Sequence, residues 1–359
     1  MSLSPQLNPN SKEPVITRAD RRLLPELREL LILTDHLSDI ARVGSLGNVT
    51  YQGTSFPLVT VAFGPEDPKT PVLALFGGVH GLERIGTRVC IAYLRTIMEL
   101  ARWDRSTLEM FKTTRLLFVP LINPVGMFAQ RRSNGNGVDL MRNAPVEADH
   151  MPWYQVYGGH RISPSLPWYR GKAGAEMEFE SQAICDFVRR EIFPAKVAIS
   201  VDVHSGYGKV DRFWFPYART KTPLPNVAEV CALKNMLDRT YSNHVYRVEP
   251  QSHQYMTHGD LWDLLYDEYR VQNPQGRFIP FSLELGSWLW IRKNWRQMFS
   301  LLGVFNPRLP HRVQRILRRH VPLFDFLYRA VHSNESWIGL PQQKLERLDR
   351  QGREIWYGG

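Results

Sequence analysis

Four short runs that are almost free of charge, each closing on a polar group, do most to limit what this chain can fold into. Residues 72–76, 116–122, 197–203 and 278–285 are dominated by Val, Ile, Leu and Phe and lack the alternation of a strand wetted on one face. They read as strands covered on both sides. Between and around them, apolar residues recur at helical spacing over residues 18–40, 84–103, 178–192, 226–241 and 260–269. Residues 49–63 alternate as a hairpin would, and 245–248 adds a short strand. Buried strands interleaved with helices of ten or more residues predict an α/β fold, three layers deep around a largely parallel sheet.

A chain of 359 residues is long enough for one large or two ordinary domains. With no internal repeat and no linker, the expectation is a single body over residues 45–305, preceded by a segment, 1–44, carrying the first helix. A C-terminal extension follows at 306–359. Residues 143–174, rich in Pro, Gly, Trp and Tyr and without periodicity, read as a long surface excursion of the kind that shapes a site.

The longest apolar stretch, residues 71–79, falls far short of the roughly 20 residues that cross a bilayer. The first twenty residues lack an apolar secretory core, so the expected location is the cytoplasm. Cys90, Cys185 and Cys231 lie far apart without metal or redox spacing and read as buried thiols. The formal charge of +10 is uneven: residues 286–359 carry 13 Lys or Arg against 5 Asp or Glu, which is +8 of the total. The basic character therefore belongs to the extension and does not define the body.

In open α/β sheets functional groups collect at the carboxyl ends of strands, so the residues just after each buried run carry the information. They are Val79-His80-Gly81-Leu82-Glu83, Asn123-Pro124-Val125-Gly126, Asp202-Val203-His204-Ser205 and Leu283-Glu284-Leu285-Gly286. A His and a Glu with two residues between them can reach one ion, and a distant His can complete a three-ligand site that leaves a position open. With 11 His in the chain, His-x-x-Glu alone decides nothing.

The conjunction of GGVHGLERIG, NPVGMFAQRRSNGNGVDLMRN, VDVHSG, HQYMTHGDLWDLLYD and FSLELG resembles the zinc metallocarboxypeptidase family, the carboxypeptidase A-like hydrolases, over most of the body. The resemblance implies an α/β/α sandwich around a mixed, mostly parallel twisted sheet. It implies one Zn2+ per chain held by His80, Glu83 and His204, with Glu284 as general base and Arg132 polarising the scissile carbonyl. Asp139 would hydrogen-bond a ligating His. Arg142, Asn143 and Tyr255 would bind substrate, with Trp262 in or near the pocket for the leaving residue. These roles match what amide hydrolysis at neutral pH requires: an activated water, a proton carrier and a stabilised oxyanion.

One departure bears on substrate. Met141 stands where the family carries Asn, which removes a donor to the terminal carboxylate and leaves Arg142. A pocket bordered by Met141 and Trp262 reads as apolar, with nothing to pair a basic leaving side chain. The primary expectation is a carboxypeptidase acting on peptides. The alternative is an amidohydrolase or deacylase of N-acyl amino acids or cell-wall peptides.

The extension contains NPRLPHRVQRILRRHVPLF, with Val313, Ile316, Leu317 and Val321 at helical spacing among four Arg and Pro322 as the expected stop. It reads as a basic helix packed on the body, capable of weak contact with acidic surfaces but without a specific nucleic-acid motif. A rival of another class is a metal-free protein that binds an acidic partner through this tail.

Overall fold

Eight strands form one sheet in the order β1-β2-β4-β3-β5-β8-β6-β7, in a computed structural model that describes residues 24–37, 39–152 and 154–358. They are β1 (Arg42–Tyr51), β2 (Thr54–Phe63), β3 (Val72–Gly77), β4 (Arg115–Val119), β5 (Val197–Ser205), β6 (Arg212–Phe215), β7 (Arg247–Pro250) and β8 (Arg277–Leu285). The centre, β4-β3-β5-β8, is parallel throughout, and the flanking joints β1-β2, β2-β4 and β6-β8 are antiparallel. The helices are α1 (Pro25–Asp35), α2 (Arg84–Trp103), α3 (Phe179–Glu191), α4 (Val227–Thr240), α5 (Leu261–Gln272), α6 (Pro310–His332) and α7 (Gln342–Tyr357), besides several of one or two turns.

The period of two along the strands sorts side chains into two cores. Leu73 and Leu75 of β3, Ile199 and Val201 of β5 and Phe281 and Leu283 of β8 pack with α1, α2, α4, α6 and α7. Val72, Ala74 and Phe76, Ala198 and Phe278 pack with α3 and α5 on the other face. That is the expected three-layer sandwich. Asp202 and His204, and Ser282 and Glu284, share the parity of this second face, and they replace its apolar residues where the strands run out.

Two glycines allow close backbone approach at the ends of these strands. A Cβ on Gly86 would lie 2.3 Å from the Val203 carbonyl, so α2 can rest on β5 only with no side chain there. Gly259 has φ +70°, and its Cβ would fall 1.9 Å from the Arg142 carbonyl.

The structure departs from the sequence expectations at several points. The N-terminal helix is seen as Pro25–Asp35, and its expected beginning at 18–23 lies outside the described residues. The hairpin is longer than 49–63, since β1 starts at Arg42 on a mostly exposed edge where apolar alternation gives little signal. Pro322 does not stop α6, which runs unbroken to His332. Leu323, Phe324, Leu327, Tyr328 and Val331 continue the buried stripe beyond it. At about 1.5–3 kcal/mol for each large apolar side chain, their burial outweighs the roughly 3 kcal/mol that an internal proline costs. The extension thus lies in the same core as the body: α6 packs on α2 and β3, and α7 packs on α4.

Candidate metal centre and cavity

Three strand ends converge. After β3, the turn 78–83 puts His80 and Glu83 at the entrance of α2; His204 and Glu284 are the penultimate residues of β5 and β8, and all four are buried. Ligand atoms of His80, Glu83 and His204 lie within 4.8 Å of one another. Glu83 Oε1 is 2.9 Å from His80 Nδ1, Glu83 Oε2 is 3.2 Å from His204 Nδ1, and the two Nδ1 atoms are 3.3 Å apart.

The outer nitrogens explain the inner ones. His80 Nε2 lies 3.1 Å from Asp139 Oδ1, and His204 Nε2 lies 2.9 Å from Asp202 Oδ2. A carboxylate accepts, so the imidazole tautomer that meets Asp139 or Asp202 through Nε2 turns Nδ1 inward as a metal-ligating atom. With a cation bound, two lone pairs and a carboxylate would face one small volume; in its absence a proton on His204 takes the place of that charge. Such a donor set fits a divalent cation of zinc type: two imidazoles, one carboxylate and room for a further ligand.

The electrostatics of the four residues agree. Burial opposes ionisation of Glu83, but His80 and His204 hold its carboxyl well below the usual range. Burial likewise opposes charge on His204, yet Asp202 and Glu83 raise its imidazole well above its ordinary value. The site draws in positive charge. Glu284, across from it, is pushed up to about 8, first by burial and then by the charge on Glu83.

Arg132 does not extend freely toward substrate. Its Nε donates to Asp139 Oδ2 at 2.8 Å and its Nη1 to Glu83 Oε1 at 3.2 Å, while Nη2 lies 2.8 Å from His80 Nε2. Asp139, held well below the usual carboxylate range against the cost of burial by Arg132 and His80, is ionised and accepts from Arg132. Arg132 is therefore both a wall of the cavity and a brace for the ligands.

The cavity has a volume of about 640 Å3. His80, Glu83, His204, Arg132, Arg142, Met141, Tyr255 and Glu284 line it, as do Tyr157, Pro167 and Trp168 from the excursion. Arg142 is buried, lies close enough to Tyr255 to act on its hydroxyl, and keeps a buried Nε with no partner. Burial raises the Tyr255 hydroxyl to about 12, so it remains a donor. Its ring packs against Tyr157, Tyr207 and Trp214.

Two residues expected at the substrate are placed elsewhere. Asn143 spends its amide on the backbone, donating to the Arg170 carbonyl at 3.0 Å and accepting from the Glu178 amide at 2.6 Å. Trp262 is buried edge-on to Phe76 and is absent from the cavity wall; its indole donates to Asp202 Oδ2 at 3.1 Å.

The expected apolar pocket is correspondingly incomplete, because the wall includes Ser282 and the carboxyl of Asp260. Asp260 Oδ1 caps α5 through the amides of Trp262 and Asp263, and burial raises its pKa. The sequence reading missed Asp202, Asp260 and the Tyr207 amide, which donates to Glu284 Oε1 at 2.9 Å. Asp202 could have been found from Asp-Val-His, where the period of two puts Asp and His on one face.

Comparison with known proteins agrees with this geometry. The profile of the zinc carboxypeptidase family matches residues 29–286, well over half of the chain, and the chain belongs to that family. Zinc is the cofactor that membership carries, and the His-Glu-His set fits it. The chain is 24% identical to the carboxypeptidase N catalytic chain of Rattus norvegicus over 225 residues, 56% of this chain and 47% of the relative. It is 33% identical to carboxypeptidase E of Caenorhabditis elegans over 106 residues, 25% and 22% of the two chains. The chain thus spans about half the length, or less, of the curated relatives it matches.

Among solved structures, bovine thrombin-activatable fibrinolysis inhibitor, in complex with tick carboxypeptidase inhibitor, superposes with TM-score 0.62 at 18% identity. That match covers 87% of this chain and 97% of the other. Carboxypeptidase A from Helicoverpa armigera gives 0.59 at 16% identity, with 88% and 80% covered. These likenesses show the carboxypeptidase fold.

Proposed function

We propose that this protein is a zinc metallocarboxypeptidase that hydrolyses the amide bond preceding a C-terminal residue, with Glu284 as general base. The observation that carries the reading is one cavity holding a ligand set at one side and, on its wall, a buried cation with an unpartnered Nε, Arg142. His80, Glu83 and His204 would hold the zinc, which when bound polarises a carbonyl and acidifies a water.

Glu284 stands on the adjoining strand, with its Oε1 fixed by the Tyr207 amide. It takes a proton from the attacking water and passes it to the departing amine. Arg142 receives the substrate's terminal carboxylate in a charge-assisted hydrogen bond, and Tyr255 adds a neutral donor. Arg132 supplies positive charge beside the reacting carbonyl.

Met141 keeps a second reading in play, because its thioether on the wall supplies no donor for a carboxylate. In that reading the enzyme is an amidohydrolase of N-acyl amino acids or cell-wall peptides. A peptide with a free C-terminal carboxylate, compared with its C-terminal amide, separates the two: the carboxypeptidase reading expects the amide to be cut far more slowly, and the alternative expects comparable rates. We place the enzyme in the cytoplasm, a reading supported by three buried, unpaired thiols.

A further inference from the structure

The segment that leaves β8 and leads to α6 carries an apolar surface that the fold does not cover. Trp295 is 62% exposed, Met298 59%, Phe299 77% and Leu301 60%. Trp295 and Phe299 pack edge to face, 5.7 Å apart, so they form one surface. The backbone beneath is tied down. Gln297 is buried and donates to the Gly303 and Asn306 carbonyls, and Ser300 Oγ accepts from the Gly303 amide. Large apolar groups held outward by an ordered scaffold mark a contact surface.

The charge along this segment and the start of α6 has one sign. Residues 285–324 contain eight Lys or Arg and no Asp or Glu. Arg292, Lys293, Arg296, Arg308, Arg315 and Arg318 are exposed, and among the described residues no carboxylate pairs with any of them. The apolar stripe of α6 is not part of the surface, since Val313, Ile316, Leu323 and Leu327 are buried against the sheet. That helix offers only its arginines, and Arg312 ties it to the segment through the Trp290 carbonyl.

We propose that this surface docks the protein on an anionic membrane. Trp, Phe, Met and Leu side chains enter the interfacial layer, and the surrounding Lys and Arg meet lipid phosphates. A soluble polyanion would satisfy the charges but would leave Phe299, Met298 and Leu301 in water. Leu301 belongs both to the surface and to the cavity wall, so docking brings the mouth of the cavity to the headgroups. The inference concerns binding and does not depend on the proposed hydrolysis.

The test is flotation of the full chain with phosphatidylcholine vesicles, with and without phosphatidylglycerol. Wild type should float with the anionic vesicles and not with phosphatidylcholine alone, and raised salt should weaken the binding. Trp295→Ser combined with Phe299→Ser, and separately Arg292→Gln with Lys293→Gln and Arg296→Gln, should each lower the affinity at least about ten-fold. Both variants should keep the wild-type unfolding midpoint and zinc content, because the altered side chains are exposed and absent from the cavity wall. Absence of flotation with anionic vesicles would overturn the proposal. So would flotation unchanged in the Trp295→Ser, Phe299→Ser variant, or binding to single-stranded DNA as strong as to vesicles and equally insensitive to that variant.

Discussion

His204 and Glu284 are direct register partners on the parallel strands β5 and β8, one pair before Ser205 and Leu285, where both strands end. A ligand and a base on adjoining strands, with side chains on the same face, have a separation set by the sheet, which is the most rigid element the fold possesses. Loops supply the remaining groups, and each loop is anchored near its functional residue.

Asp139 and Asp202 each fix one imidazole, so replacing either by Asn should weaken zinc binding without removing a ligand. The expected loss for each is about 10- to 100-fold in affinity. A competitive chelator titration checks it, with His80→Ala as the variant that should fail to retain metal. Unchanged affinity in both Asn variants would detach the two carboxylates from the metal centre.

Gly86 allows α2 to rest on the end of β5. Gly86→Ala places a methyl against the Val203 carbonyl and should cost about 1–3 kcal/mol in chemical denaturation. It should also loosen zinc binding, because His80 and Glu83 would shift relative to His204.

The pH dependence of the metal-free protein carries a signature of Glu284. Its folded pKa of about 8 lies above the usual carboxylate value of about 4.3, so the folded state holds the proton more tightly. The associated stability is complete below pH of about 4 and is lost as pH rises through about 8. In a chelator, Glu284→Gln should flatten the fall in denaturation midpoint between mildly acidic and mildly alkaline pH. A fall as steep as that of wild type would contradict the shift.

Arg142 lies on the cavity wall, and among the described residues no carboxylate forms an ion pair with it. Arg142→Met should raise KM for a free-acid peptide by roughly 10- to 100-fold, the worth of a charge-assisted hydrogen bond of about 1.5–3 kcal/mol, and should abolish any preference over the amide. Met141→Asn should shift the preference the opposite way.

Much of this site could be read directly from residue types and spacing, because His80, Glu83, His204 and Glu284 fall where buried apolar runs end. Their convergence is a property of strand order, and a doubly covered strand announces itself by its composition. Asn143 and Trp262 depart from expectation for the opposite reason. Both lie beside true wall residues, but spacing along a loop or at the first turn of a helix does not say which way a side chain turns. Strand β6, four residues long with an Arg at its start, carries too little apolar pattern to be seen. Pro322 shows local and global preference in conflict, with burial deciding the outcome.

The most direct measurement is release of the C-terminal residue from a free-acid peptide by wild type and by Glu284→Gln, each carrying about one zinc per chain. Wild type should hydrolyse the peptide, and the variant should do so at a rate at least about 100-fold lower at equal zinc content. A zinc-loaded wild type that leaves such peptides intact, or a Glu284→Gln variant that keeps the full rate, would contradict the proposed mechanism.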